Sequence, residues 1–123
     1  MAAVLSTQPD DLSTYHLADA NATATVTYNV AGDACTFYVI AIDNTANSTD
    51  CYLKVYDVTS GVTVGTTAPH MQFWAPANKF TQYNITLGLQ CAAAFSYALV
   101  SGSAGTPGTD SPANAAKFYV AVT

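Results

Sequence analysis

The side chains able to do acid–base, nucleophilic or metal chemistry are few in this chain of 123 residues, with two His, three Cys and eight Asp and no Glu. His16 and His70 stand far apart, and neither sits in a metal-ligand spacing such as H-x-x-x-H. Cys35, Cys51 and Cys91 are odd in number, lack a C-x-x-C spacing and have no flanking base to favour the thiolate. Such thiols ordinarily serve as small buried hydrophobes. Asp43, Asn44, Asn47 and Asp50 place four oxygen-bearing side chains in one short stretch. A hard cation takes such ligands, but the same residue types also suit a turn. Hydrolysis by paired carboxylates would need two Asp from separate loops, and nothing singles out a pair. Phe73, Trp74, Tyr83 and Tyr97 are candidates for a sugar-stacking platform or for a core. With no G-x-S-x-G, P-loop or dinucleotide motif, the chain reads as a non-enzyme without cofactor or metal.

The elements that must carry these residues are strands. Residues 23–30 alternate Thr with Ala, Val and Tyr and predict a first strand, closed by the turn Ala31-Gly32-Asp33. Residues 35–42 are apolar on both faces, which predicts a central strand. The polar stretch 43–50 fits a hairpin loop into a strand over 51–58. In that register Cys35 lies too far from Cys51 for a disulfide. Residues 69–74, between Pro69 and Pro76, suit an edge strand because proline cannot donate to a ladder. Strands over 79–85, 87–91, 95–100 and 116–122 follow. Residues 101–112, nearly all small or turn-forming, predict a mobile loop. About eight short antiparallel strands imply an all-β, jelly-roll-like sandwich. The organisation expected is an N-terminal arm over residues 1–20 and a single domain over 21–123.

Half the residues are hydrophobic, so a core can form, while only 9% are charged. Soluble proteins carry about 25%. This deficit fits either a surface committed to an interface or one made polar by Thr, Ser and Asn. The net charge of −5 comes without a basic cluster, which argues against direct nucleic-acid binding. No apolar run approaches the roughly 20 residues of a membrane span. The first residues have neither a basic segment nor a long apolar one, so synthesis in a cytoplasm without secretion is expected. Sequons at Asn21, Asn47 and Asn84 would then stay unmodified.

The strand Tyr52-Leu53-Lys54-Val55-Tyr56 breaks at Asp57 into a Thr- and Gly-rich loop, residues 58–69, that offers backbone contact rather than chemistry. Here the chain begins to resemble a known family. Tyr52-Leu53-Lys54-Val55-Tyr56-Asp57, then Val64-Gly65-Thr66-Thr67-Ala68-Pro69, Trp74-Ala75-Pro76-Ala77, Leu87-Gly88-Leu89 and Phe95-Ser96-Tyr97-Ala98 occur in the order seen in tailed-bacteriophage capsid decoration, or cement, proteins. The resemblance covers about residues 50–122. It departs from the family pattern at residues 90–94, where Cys91-Ala92-Ala93-Ala94 replaces a segment usually containing glycine. It implies a jelly-roll subunit made in the host cytoplasm and carried on the virion. There it would form a homotrimer over junctions of the major capsid protein and brace the shell against packed DNA. The competing expectation is a fibre or tail module that holds host carbohydrate through Trp74 and nearby tyrosines.

The N-terminal residues lack the periodicity of an independent element, and their isolated large apolar side chains read as anchors for a partner. The candidate interface is therefore Leu5, Leu12, Tyr15 and Leu17 in the arm, Val64, Thr66 and Thr67 in the loop, and Trp74. The other reading of the arm is an edge strand added to its own sheet.

Overall fold

The computed structural model describes residues 3–7, 15–103 and 106–123. Through these run β1 (Ala3–Thr7), β2 (Tyr15–Asp19), β3 (Cys35–Asp43), β4 (Asp50–Tyr56), β5 (Met71–Ala75), β6 (Phe80–Cys91), β7 (Ser96–Ser103), β8 (Thr106–Pro107) and β9 (Lys117–Val122). One sheet has the order β1-β2-β9-β3-β6 and the other β5-β4-β7-β8, and every ladder is antiparallel. Residues 23–30 run along β7 on the side away from β4. Thr27 and Tyr97 exchange two backbone hydrogen bonds there, and the Leu99 and Val30 N–H groups donate to Thr23 and Phe95. With that segment counted as a strand, eight successive elements from β2 to β9, omitting β8, occupy positions 1-8-3-6 in one sheet and 2-7-4-5 in the other. This is the winding of a jelly roll. The all-β sandwich read from the sequence is the fold the chain adopts.

Alternation builds the core between the sheets. In β9, Phe118, Val120 and Val122 are buried while Lys117, Tyr119 and Ala121 are not. Phe37, Ile40 and Ile42 of β3 face Leu53 and Val55 of β4 and Tyr97 and Leu99 of β7 in one apolar cluster. Edge-to-face rings lock it, Phe37 on Phe95 at 5.2 Å and Tyr97 on Phe118 at 4.4 Å. Each such pair contributes about 1 kcal/mol beyond the area it buries. The outer face of the β4–β7 pair is buried too, at Tyr52, Lys54, Tyr56, Ser96, Ala98 and Val100. A strand buried on both faces has no polar alternation to keep, hence the continuous apolar runs in the sequence.

Several sequence expectations need correction. Strands β3 and β4 do not form a hairpin, because the 43–50 loop carries the chain from one sheet to the other. Its crossing is held by Asn44 and Asn47, which are buried rather than exposed turn residues. The three cysteines are thiols as expected, but Cys35 and Cys51 are separated by sheet, not by hairpin register. Residues 23–30 occupy a strand position with a broken ladder. The left-handed backbone of Asn29 (φ 49°) and its N–H bond to Ser96 Oγ interrupt the pairing. Residues 79–85 and 87–91 fuse into one strand, β6, and residues 102–103 of β7 pair with 106–107 of β8 inside the stretch expected to be a mobile loop.

Of the two readings of the arm, the ladders favour strands added to its own sheet. Residues 3–7 and 15–19 form an antiparallel ribbon whose inner strand, β2, pairs with β9 from Tyr15↔Val122 to Asp19↔Phe118. Leu17 is 1% exposed within the core. Beside it, buried Tyr97 donates its phenolic hydrogen to Asp19 Oδ2 at 2.5 Å, and the other carboxylate oxygen accepts the Asn21 N–H. Burial, and then the Asp19 carboxylate, push the Tyr97 phenol well above its ordinary range. These residues belong to the sandwich they precede.

Candidate contact surface

Two strands at the margins of different sheets, β5 and β6, lie side by side. They are joined through residues 76–79, and Tyr83 Oη donates to the Trp74 carbonyl at 2.6 Å while the Phe73 and Tyr83 rings meet at 5.3 Å. Alternation turns Phe73, Tyr83 and Ile85 inward and leaves Gln72, Trp74, Phe80, Gln82 and Asn84 outward. Trp74 is 50% exposed and Phe80 54%. Between Phe37↔Leu89 and Val39↔Asn84, four residues of β6, 85–88, stand against Tyr38 alone. Such a bulge re-aims side chains, and Leu87 at its crest is 92% exposed. Gly88 makes the bulge possible. Its φ is +77°, and a methyl group there would come within 2.8 Å of Tyr38 and closer still to Thr36.

The electrostatics of this side are simple. From residue 71 to 91 the sole charged side chain is Lys79. Edge strands of soluble proteins are normally guarded by lysines, prolines or inward charges. The 12-residue β6 carries no charge or proline, its guard being the bulge at residues 85–88, and it presents amides and apolar groups. Chemically this side can offer backbone hydrogen bonds along the β6 edge, the remaining hydrogen-bonding capacity of Gln82 and Asn84, whose amides meet at 2.9 Å, and apolar area from Trp74, Phe80 and Leu87.

The Thr- and Gly-rich loop lies at the other end of β5 and is organised mainly for its own chain. The Thr66 and Thr67 N–H groups donate to the Thr63 carbonyl, and Thr67 Oγ1 accepts the Thr63 N–H at 3.0 Å. Tyr28 Oη accepts the Val62 N–H, and Ser96 Oγ donates to the Val58 carbonyl at 2.6 Å. At Gly65 (φ +94°) a Cβ would come within 2.6 Å of Thr109 Cγ2. Small hydroxylated residues thus satisfy backbone groups where the loop closes over the outer face of β4 and β7.

Beneath the loop is a shallow cleft of about 300 Å³ lined by Tyr56, Asp57, Val58, Thr67 and His70. Asp57 is engaged by the backbone opposite this cleft. The carboxylate accepts the N–H groups of Ala92, Ala93 and Ala94 at 2.9, 2.8 and 3.0 Å. Desolvation pushes its pKa up, but these three bonds and the nearby His70 outweigh it and hold the carboxyl below its ordinary value. Asp57 therefore fastens the turn at residues 92–94.

The remaining chemical candidates resolve in the same way. Asn44 Nδ2 donates toward the carbonyls of Thr49, Ala75 and Pro76, and its Oδ1 accepts from Asn47 Nδ2 and Cys51 Sγ, each at 3.0 Å. Asn47 also donates to the Asn114 carbonyl and accepts the Asn114 N–H at 2.8 Å. Asp43 accepts from Thr45, and Asp50 from the Ala77 N–H. These four residues tie three loops together. His16, in β2, stacks on Tyr119 at 6.1 Å, remote from His70. Among the described residues no three His, Cys, Asp or Glu side chains converge.

The structure scatters the interface residues proposed from sequence. Leu5 and Tyr15 lie in the β1–β2 ribbon, Leu17 is in the core, and Leu12 falls outside the described residues. Val64 and Thr67 are half-buried in the loop, with Thr66 exposed. Trp74 alone joins the β5–β6 side. Phe80 and Leu87 were missed, although the charge-free run from 80 to 91 was a visible signal. Comparison of the chain with protein-family models, with curated proteins and with solved structures finds no match.

Proposed function

We propose that this protein is a structural virion component, a capsid decoration protein that binds as a homotrimer over junctions of the major capsid protein. The observation that carries the reading is the β5–β6 side. A long edge strand with one neighbouring charge, a protruding Leu87 and half-exposed Trp74 and Phe80 suits lasting burial against another protein surface. The rigid double-sided core and cross-tied loops suit a part that bears load and does no chemistry. The order of short motifs from Tyr52 to Ala98 supports the same assignment by resemblance.

A second reading, a fibre or tail module for host carbohydrate, draws on the Trp74 ring, since sugars stack on exposed aromatic faces. Copy number in purified particles separates the two. Decoration requires this chain in stoichiometric proportion to the major capsid protein, whereas a few copies per particle would sink it in favour of the fibre reading.

A further inference from the structure

We propose that Cys35 and Cys91 are an oxidative modification site that closes into a reversible disulfide across the β3–β6 ladder. The two residues are direct partners in the antiparallel register, the first of β3 against the last of β6. Directly opposed antiparallel residues have Cα atoms about 4.5–5.5 Å apart, inside the range that a disulfide spans. Both are reduced and buried, and each thiol shifts the pKa of the other. Cys51 has no such neighbour, because its thiol donates to Asn44 Oδ1 inside the loop network.

The two sulfurs are not equivalent. Cys35 opens β3 at its first residue, whereas Cys91 closes the longer β6. Cys35 is also the more accessible, at 5% exposure against none. It is therefore the attacking group, reached as the strand ends fray. With a low-molecular-mass disulfide as oxidant, the Cys35 thiolate attacks one reagent sulfur, the reagent S–S bond breaks and one reagent thiol leaves. The Cys91 thiolate then attacks Cys35 Sγ and expels the second reagent thiol. Two protein thiols lose two protons and two electrons, and one reagent disulfide is reduced to two thiols. The bond would be open in a reducing cytoplasm and closed in an oxidising medium. The proposal does not depend on the function assigned above.

The test uses the folded full chain, incubated with oxidised glutathione, alkylated and digested with trypsin. Cleavage at Lys54, Lys79 and Lys117 places Cys35 and Cys51 in peptide 1–54 and Cys91 in peptide 80–117. The expected result is a loss of two hydrogens from the intact mass and a link between those two peptides. The link persists in Cys51→Ser and disappears in Cys35→Ser. Closing a loop of this length also raises Tm by roughly 10 °C, reversed by dithiothreitol. Unreacted thiols, stable glutathione adducts, links between chains, or a link lost in Cys51→Ser would each overturn the proposal. Fragmentation of the linked wild-type peptides, which must place the one alkylated cysteine at Cys51, decides it even if a variant fails to fold.

Discussion

Replacing Leu17 by Ala asks whether the N-terminal ribbon is part of the sandwich. The side chain is 1% exposed in β2, between β1 and β9, and belongs to the main apolar cluster. Buried Leu→Ala substitutions cost about 2.7–5 kcal/mol, depending on how far the cavity collapses. Because β2 has only the β1 ribbon outside it, partial collapse is expected, and about 3 kcal/mol is the appropriate figure. Unfolding entropy near Tm is about 2.1 cal/mol/K per residue. For 123 residues that converts the loss into a Tm lowered by roughly 12 °C. If residues 1–20 formed a free arm, the substitution would fall within about 0.5 kcal/mol, or roughly 2 °C. Differential scanning calorimetry, with Leu87→Ala as the exposed control, distinguishes the outcomes. A Leu17→Ala protein that melts within about 2 °C of wild type would refute the placement of β2 in the core.

The other predictions concern the loops and the proposed surface. Asn47→Ala removes one buried and two part-buried hydrogen bonds from the crossing of the sheets. It should cost about 3 kcal/mol in a denaturant titration; a loss below about 0.5 kcal/mol would mean that the network is not holding the loops. Asp57→Ala should destabilise by about 1–2 kcal/mol at neutral pH. Since the folded carboxyl titrates below its ordinary value of 3.8, that stabilisation is present above pH 4 and fades as acid protonates the folded form. A wild-type advantage that stays constant from pH 7 to pH 2 would contradict the role given to Asp57. Trp74→Ala with Leu87→Lys should leave Tm within about 3 °C of wild type yet lower affinity for undecorated shells at least tenfold, by sedimentation binding. Unchanged affinity would move the contact surface elsewhere.

How far the sequence reveals this structure depends on the range of the interactions involved. Residues 35–42 and 116–122 announce their strands because burial on one or both faces writes a local pattern. The sheet to which a strand belongs leaves no such mark. Asn44 and Asn47 look the same in a hairpin turn as in a buried crossing, and the difference lies in partners as remote as Asn114. The apposition of Cys35 with Cys91 is hidden for the same reason. Leu17 misleads because its short strand is bordered by polar residues, and its burial is supplied by β9 at the far end of the chain. In the contact surface, the want of charge was legible. The protrusion of Leu87 was not, since it follows from a register shift between two strands.

The proposal of capsid decoration is tested most directly by adding the purified protein to shells assembled from the major capsid protein without it. Saturable binding at a fixed ratio to the major capsid protein, with three copies clustered at each occupied position in a cryo-EM map and shells that withstand a higher temperature, is the predicted result. Shells that take up no protein at micromolar concentration, or take it up without gaining stability, would contradict it.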